Sequence, residues 1–305
     1  MWRINVKENL QGLKHVYLWL ALGFVFLIII SYASDIKDAK VYFQALSVEL
    51  IIGCLSLAAL SYGVRSLRWL GYMRLVEHRA SITHHIIIYL SGFAFTVSPG
   101  KSGELMRGAH LDELSVPFRY TFFSFVSERL LDVIMVFVLG TYFLVEHVNP
   151  FFSVWSVCVF ILPFCVTPAL NLGLRVTRIG KQRYDVRMIR DLYRMIILVK
   201  SLCLTVLAWS AQGAILYWVL RGYGIDLSIA MIISIYCLSL LIGAISLVPS
   251  GLGVTEIGMI WLLGEVGVEN DVAIASSLVT RMMTLLPAMT TGLLCSLILK
   301  RNCFK

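Results

Sequence analysis

The chain is predicted to be an all-α integral membrane protein. Of its 305 residues, 59% are hydrophobic and only 14% are charged. Several apolar runs reach about 20 residues, the length that an α-helix needs to cross a bilayer core of about 30 Å. The longest polar stretch, residues 174–200, is shorter than the roughly 50 residues of a small domain. We therefore expect one polytopic membrane domain over residues 1–305.

Six apolar runs are predicted to be full transmembrane helices, at residues 16–34, 46–64, 120–145, 151–172, 201–220 and 272–299. The first resembles a signal peptide, but we interpret it as an uncleaved span because the rest of the chain is also apolar. Basic residues follow the second run, beginning with Arg65 and Arg68, and they fill the linker 174–200. By the positive-inside rule these loops are cytoplasmic. Six crossings then place both termini on the cytoplasmic side of the cytoplasmic (inner) membrane.

Two further apolar runs, residues 84–97 and 229–248, are interrupted by breakers. Proline removes a backbone donor and glycine permits positive φ, so the chain can turn sharply after each run. We predict two re-entrant helical hairpins, with their turns at Pro99, Gly100, Gly103, Pro249, Gly251 and Gly253. The second run is long enough to span the membrane, so eight crossings are the alternative.

Each break is followed by a carboxylate, and each carboxylate is followed 25 residues later by an arginine. The pairs are Glu104 with Arg129 and Glu256 with Arg281. They divide the chain into two repeats, at about 46–145 and 201–299. The predicted topology lets the two hairpins enter from opposite sides, so the repeat is predicted to be inverted. Breakers and charges at corresponding positions of inverted halves indicate the binding site of a transporter.

Charged residues within or beside these runs are the candidate site. They are Lys101, Glu104, Arg107, Glu128, Arg129, Asp132, Glu256 and Arg281. An intramembrane charge costs about 2.5–3.5 kcal/mol on insertion scales, so such residues need partners. Arg281 has no acid in its own run, which nominates Glu256 as its partner. Two interpretations stay open: a polar cavity that binds a ligand, and buried ion pairs that fix helix register.

The first break also has the composition of an anion site. Ser102 is a good N-cap for a short helix that would place Glu104 in its first turn. Lys101, Arg107 and the freed amides would form a cradle for a phosphate. The alternative is an ordinary capped turn at the membrane surface. Residues 100–102 resemble the end of a nucleotide-binding loop, but Phe95 replaces its first glycine, which excludes an ATPase.

Other chemistries have little support in the sequence. The formal net charge of +8 resides in loops, so we expect contact with anionic lipid and no nucleic-acid binding. His84 and His85 are adjacent and lack the spacing of metal ligands, and no cofactor is expected. The seven cysteines form no C-x-x-C pair.

Three motifs in this order resemble the lysylphosphatidylglycerol synthase transmembrane region, also called the flippase-like domain family. The motifs are PGKSGE with Arg107, then Glu128-Arg129-x-x-Asp132, then Pro249-x-Gly-x-Gly-x-x-Glu256. The resemblance covers roughly residues 13–299. It implies a membrane domain that moves an aminoacylated phospholipid between leaflets, with aminoacyl transfer performed by a separate soluble domain. Because the chain ends at Lys305 without such a domain, we expect a stand-alone member that is not itself the transferase.

The function expected from the residues and the resemblance together is lipid flipping by alternating access. The substrate would be an anionic phospholipid or a lipid-linked (polyprenyl or glycan) precursor. One alternative is a membrane transferase acting on a lipid head group, with a carboxylate–metal site near Glu104, Asp112 and Glu113. Another is an accessory subunit that partners lipid-biosynthesis enzymes in cell-envelope synthesis.

Overall fold

A computed structural model describes residues 46–76, 81–96, 98–112, 114–176 and 187–302. These residues form helices and turns, and no strand occurs among them. The first predicted span, residues 16–34, and residues 177–186 of the basic linker lie outside the described part of the chain.

The described α-helices follow one another along the chain with short connections. They are α1 (Val48–Met73), α2 (Ile82–Ser91), α3 (Arg107–Asp112), α4 (Phe118–His147), α5 (Phe152–Val176), α6 (Met195–Gly222), α7 (Ile229–Ile245), α8 (Val254–Glu265) and α9 (Asn270–Asn302). Short 3-10 helices lie at Gly92–Phe95, Pro99–Met106 and Pro249–Gly251. A further helical segment, residues 187–192, precedes α6 and buries Met188 and Leu192 in the protein core.

Serine side chains begin three of these helices. The Oγ atoms of Ser47, Ser81 and Ser228 accept hydrogen bonds from backbone N–H groups in the first turns of α1, α2 and α7. Each bond satisfies a donor that has no partner within its own helix. By length and apolar composition, α1, α6 and α9 can each cross a membrane. The prediction of an all-helical multi-pass membrane protein is confirmed, whereas the number of crossings and the inverted symmetry stay predictions.

Helix α1 is longer than the sequence predicted. It continues through Arg65 and Arg68 to Met73, although the second span was predicted to end at residue 64. Both arginines are buried inside the protein and are not exposed at the end of the span, whereas the cytoplasmic location of that end stays a prediction. The physical reason is that α4 and α6 present polar partners to this face of α1, and these partners satisfy the charges inside the protein.

The two breaks share a proline but differ in backbone. In both, the proline is the first residue of a 3-10 helix, a position that needs no N–H donor. The second break contains Gly251 and Gly253 with φ of 65° and 80°, as the sequence predicted, and Ser250 with φ of 56°. Left-handed φ costs a non-glycine residue roughly 1 kcal/mol, so Ser250 is mildly strained.

Gly103 of the first break does not use the left-handed φ that Gly251 and Gly253 adopt. It lies inside the 3-10 helix Pro99–Met106 and is not among the described glycines with positive φ. Gly103 is needed for close approach instead, because a Cβ there would lie 2.6 Å from the Cβ of Phe95. Its N–H donates to Ser98 Oγ at 2.6 Å. Ser98, and not the predicted Ser102, therefore precedes the helix.

The two breaks contact each other directly, and both lie beside α9. The hydroxyl of Ser250 donates to the carbonyl of Thr96 at 3.4 Å, which joins the two breaks directly. Helix α9 packs against α2, the segment Gly92–Phe95 and α8. At Gly292 the backbone of α9 lies so close to Ala94 that no side chain fits between them. The packing thus brings the breaks and their charged residues to one region of the protein.

Candidate functional site: a buried charge network at the helix breaks

The centre of the network is two tight ion pairs on α4. Arg68 Nη1 donates to Asp132 Oδ1 at 2.7 Å and to Thr205 Oγ1 at 2.5 Å. Arg107 Nη2 donates to Glu128 Oε2 at 2.5 Å. Arg68 Nε also lies 3.8 Å from Glu128 Oε1. All four charged side chains are buried, so each pair is shielded from water and its attraction is weakly screened.

Aromatic rings enclose the Arg107 guanidinium. Its Cζ lies 4.2 Å from the ring centroid of Trp69 and 5.1 Å from that of Tyr89. Arginine above an aromatic face gains cation–π attraction, which is largest in a desolvated site. Glu128 neutralises the charge of Arg107, and the aromatic rings pack against the guanidinium. Arg107 is thus held by Glu128 and aromatic rings, and the phosphate cradle with Lys101 stays a prediction.

Arg129 is paired more loosely and is more accessible. Its Nη2 lies 3.3 Å from Asp132 Oδ2 and 3.6 Å from Glu104 Oε2, and neither contact meets hydrogen-bond geometry. Its side chain is 19% exposed, unlike the other arginines of the network. Thr96 Oγ1 donates to Glu104 Oε1 at 3.4 Å, which ties this carboxylate to the first break. Arg129 is thus the arginine of the network that combines long ion pairs with a partly exposed side chain.

Arg281 and Glu256 form the ion pair that the 25-residue spacing predicts. Arg281 Nε donates to Glu256 Oε1 at 2.7 Å, and its Nη2 donates to the carbonyl of Ser250 at 2.8 Å. Glu256 lies in the first turn of α8, where the helix dipole stabilises a negative charge. The pair therefore fixes α9 to the second break, at the residue with left-handed φ.

Arg65 is linked to the charge network of α4 through neutral side chains. Its Nη2 donates to Gln212 Oε1 at 3.3 Å, and the same oxygen accepts from the Tyr236 hydroxyl at 3.1 Å. Its Cζ lies 4.3 Å from the ring centroid of Trp209, and Trp209 Nε1 donates to Asp132 Oδ1 at 3.3 Å. A continuous set of polar contacts thus runs from α1 through α6 to α4 and α7.

Most predicted site residues come together. Five predicted residues belong to one network: Glu104, Arg107, Glu128, Arg129 and Asp132. Glu256 and Arg281 form a separate pair at the second break, and the side chain of Lys101 lies outside what the structure describes. No group of three metal-binding side chains occurs among the described residues, and Glu113 is outside them.

Sequence reasoning missed the contributions of α1 and α6, namely Arg65, Arg68, Trp209 and Gln212. A signal was present on α1. Its residues 61, 65, 68 and 72 are polar or amphipathic and follow the i, i+4, i+7, i+11 spacing of one helix face. Such a stripe within a continuous helix indicates a polar face turned toward the protein.

The fold and the site together define a multi-pass α-helical membrane protein with a charge network buried beside two broken helices. The chain belongs to the lysylphosphatidylglycerol synthase transmembrane region family, whose sequence model matches residues 16–292. The resemblance noted from the three motifs is thereby confirmed.

Similar proteins come from two archaea. A UPF0104 membrane protein of Methanocaldococcus jannaschii is 26% identical over 93% of this chain and 94% of its own length. A UPF0104 membrane protein of Methanothermobacter thermautotrophicus is 31% identical over 88 residues, which are 29% of this chain and 26% of that protein. These names state a membrane location and no activity.

Proposed function

We propose that this protein moves the head group of an anionic phospholipid or lipid-linked precursor between the leaflets of the cytoplasmic membrane. The observation that carries the proposal is a network of charged side chains, buried beside two broken helices that touch, in a multi-pass membrane protein. Ionisable residues inside membrane segments characteristically mark substrate or ion pathways. Broken helices in transporters supply such sites.

Stability alone is a poor explanation for the network. Replacing a buried ion pair with well-packed apolar residues is often neutral or stabilising, by about 1–4 kcal/mol. Several carboxylate oxygens also lack a hydrogen-bond partner among the described residues: Glu104 Oε2, Asp132 Oδ2 and Glu256 Oε2. A network selected only to hold helices together would satisfy these acceptors more fully.

In the proposed mechanism, the phosphate of the head group approaches Arg129, whose two ion pairs are long and whose side chain is partly exposed. An arginine can hold a phosphate by two parallel hydrogen bonds. Arg129 then exchanges Glu104 for the ligand, while the acyl or prenyl tail stays in the bilayer. The Arg281–Glu256 pair at the second break would separate and re-form, and this would open and close access to the site from the other side of the membrane. Both termini are cytoplasmic in this proposal, and no step uses ATP.

A liposome assay tests the proposal. Purified protein is reconstituted with phosphatidylglycerol that carries a fluorophore on its acyl chain, and an impermeant reductant reports the outer-leaflet fraction over time. We expect wild-type protein to equilibrate the leaflets, and Arg129→Ala, Glu256→Gln and Arg281→Ala to slow this at least tenfold. Glu265→Gln, an exposed acid of α8, is the matched control for Glu256. Rates equal to protein-free liposomes, or three variants as fast as wild type, contradict the proposal.

A further inference from the structure

Arg65 differs from the other arginines of the site because its direct contacts are neutral side chains, although Asp132 is near enough to interact with its charge at longer range. It is 5% exposed, and its described contacts are the amide of Gln212 and the ring of Trp209. Within the described part of the chain, no carboxylate lies within 4.0 Å of its nitrogens. Its Nε also has no hydrogen-bond partner there.

The charge of Arg65 leaves the described site with an excess of one positive charge. Five arginines face four carboxylates, and each of the other four arginines has a carboxylate within 4.0 Å. Asp132 is already paired with Arg68 and Arg129, so it does not neutralise Arg65 as well. A buried charge that is not neutralised is strongly unfavourable. An amide oxygen carries only a partial charge and is a weaker partner for a guanidinium than an anion is.

We propose that Arg65 binds the phosphate of the transported head group and selects lipids that carry one net negative charge. This inference rests on the proposed function and names its substrate class. The guanidinium is a planar fork that matches two phosphate oxygens, and the phosphate would displace the oxygen of Gln212. Trp209 contacts both Arg65 and Asp132, and Asp132 contacts Arg129, so the ligand would lie beside the loosely paired arginine.

The selectivity follows from charge balance. A phosphodiester with one negative charge, such as that of phosphatidylglycerol, makes the occupied site neutral. A zwitterionic lipid such as phosphatidylcholine also carries a phosphate, but its ammonium restores the excess positive charge in a buried region. We therefore expect the transport rate of phosphatidylglycerol to exceed that of phosphatidylcholine at least tenfold.

Gln212→Glu is the decisive variant, because it places a carboxylate where the amide oxygen now lies 3.3 Å from Arg65 and changes little in shape. The new ion pair should preserve folding while it removes the excess charge. We expect phosphatidylglycerol transport to fall at least tenfold in Gln212→Glu and in Arg65→Gln. Gln212→Leu removes the amide without adding a charge, so a phosphatidylglycerol rate that falls as far in Gln212→Leu as in Gln212→Glu overturns the charge-balance argument. Thermal unfolding of each purified variant identifies any that fails to fold.

A binding assay separates failure of this inference from failure of the proposed function. The thermal shift of detergent-purified protein is measured with short-chain phosphatidylglycerol, short-chain phosphatidylcholine and inorganic phosphate. Stabilisation by phosphatidylglycerol in wild type but not in Gln212→Glu supports the Arg65 site, even if wild type flips no lipid. An unchanged preference in folded Gln212→Glu overturns the inference and leaves flipping intact. Equal stabilisation by inorganic phosphate and phosphatidylglycerol overturns the lipid assignment.

Discussion

The substitution Glu128→Gln tests whether the short ion pair between Arg107 and Glu128 stabilises the fold. Glu128 is fully buried and lies 2.5 Å from Arg107 and 3.8 Å from Arg68. Removing one partner of a buried pair costs about 3–5 kcal/mol, because the other charge is left without compensation. The Gln amide oxygen can still accept one hydrogen bond from Arg107, so we expect a loss of unfolding free energy at the lower end of this range, about 3 kcal/mol.

The measurement is equilibrium unfolding in mixed micelles with increasing SDS, followed by tryptophan fluorescence. Glu146→Gln, an exposed acid near the end of the same helix, is the matched control and should change the free energy of unfolding by less than about 0.5 kcal/mol. Arg129→Gln should cost less than Glu128→Gln, because Arg129 is partly exposed and its ion pairs are longer.

A double substitution completes the test. Arg107→Met alone should cost about 3–5 kcal/mol by leaving Glu128 without its closest partner. Arg107→Met combined with Glu128→Leu removes both charges and keeps an unbranched side chain over Trp69. We expect the double variant to lie within about 1 kcal/mol of wild type, because contacting residues are not additive. A loss below 1 kcal/mol in Glu128→Gln, or a double variant that equals the sum of the single losses, refutes this reasoning.

Two further predictions concern the contacts of α9. Gly292→Ala should destabilise the protein by about 1–3 kcal/mol in the same unfolding assay, because the new Cβ would collide with the backbone of Ala94. Gly264→Ala is the control and should be neutral or slightly stabilising, because its Cβ would enter open space. Tyr62→Phe should cost about 1 kcal/mol by removing a buried 2.7 Å hydrogen bond to a carbonyl of α9, whereas the exposed Tyr142→Phe should change nothing measurable.

The helix breaks were predictable because their signals are local. Pro99 and Pro249 exclude the donor of a continuing helix wherever they occur, and both begin 3-10 helices. The sign of φ was not predictable in the same way. Gly251 turns left-handed, whereas Gly103 stays helical and provides room for Phe95, and only the packed neighbour distinguishes these two uses of glycine.

The ion pairs were predictable only where the sequence left one choice. Arg281 has no acid in its own run, so Glu256 followed from the repeat. Arg129 has Asp132 three residues away, and this local competitor explains why its contact with Glu104 is long. Arg68 pairs with Asp132 across 64 residues of sequence. Such a pairing depends on how α1 packs against α4, which no local pattern encodes.

The unequal pairing of the network has a consequence for transport. A side chain can bind a ligand only at the cost of its existing contacts, so short pairs enclosed by aromatic rings, such as Arg107 with Glu128, should hold through a transport cycle. Arg129 loses little binding energy when its long ion pairs break, and Arg65 loses only a hydrogen bond to a neutral amide. In the proposed function, the ligand therefore contacts the faces of α1 and α4 that carry these two arginines. The tight pairs keep those faces in position.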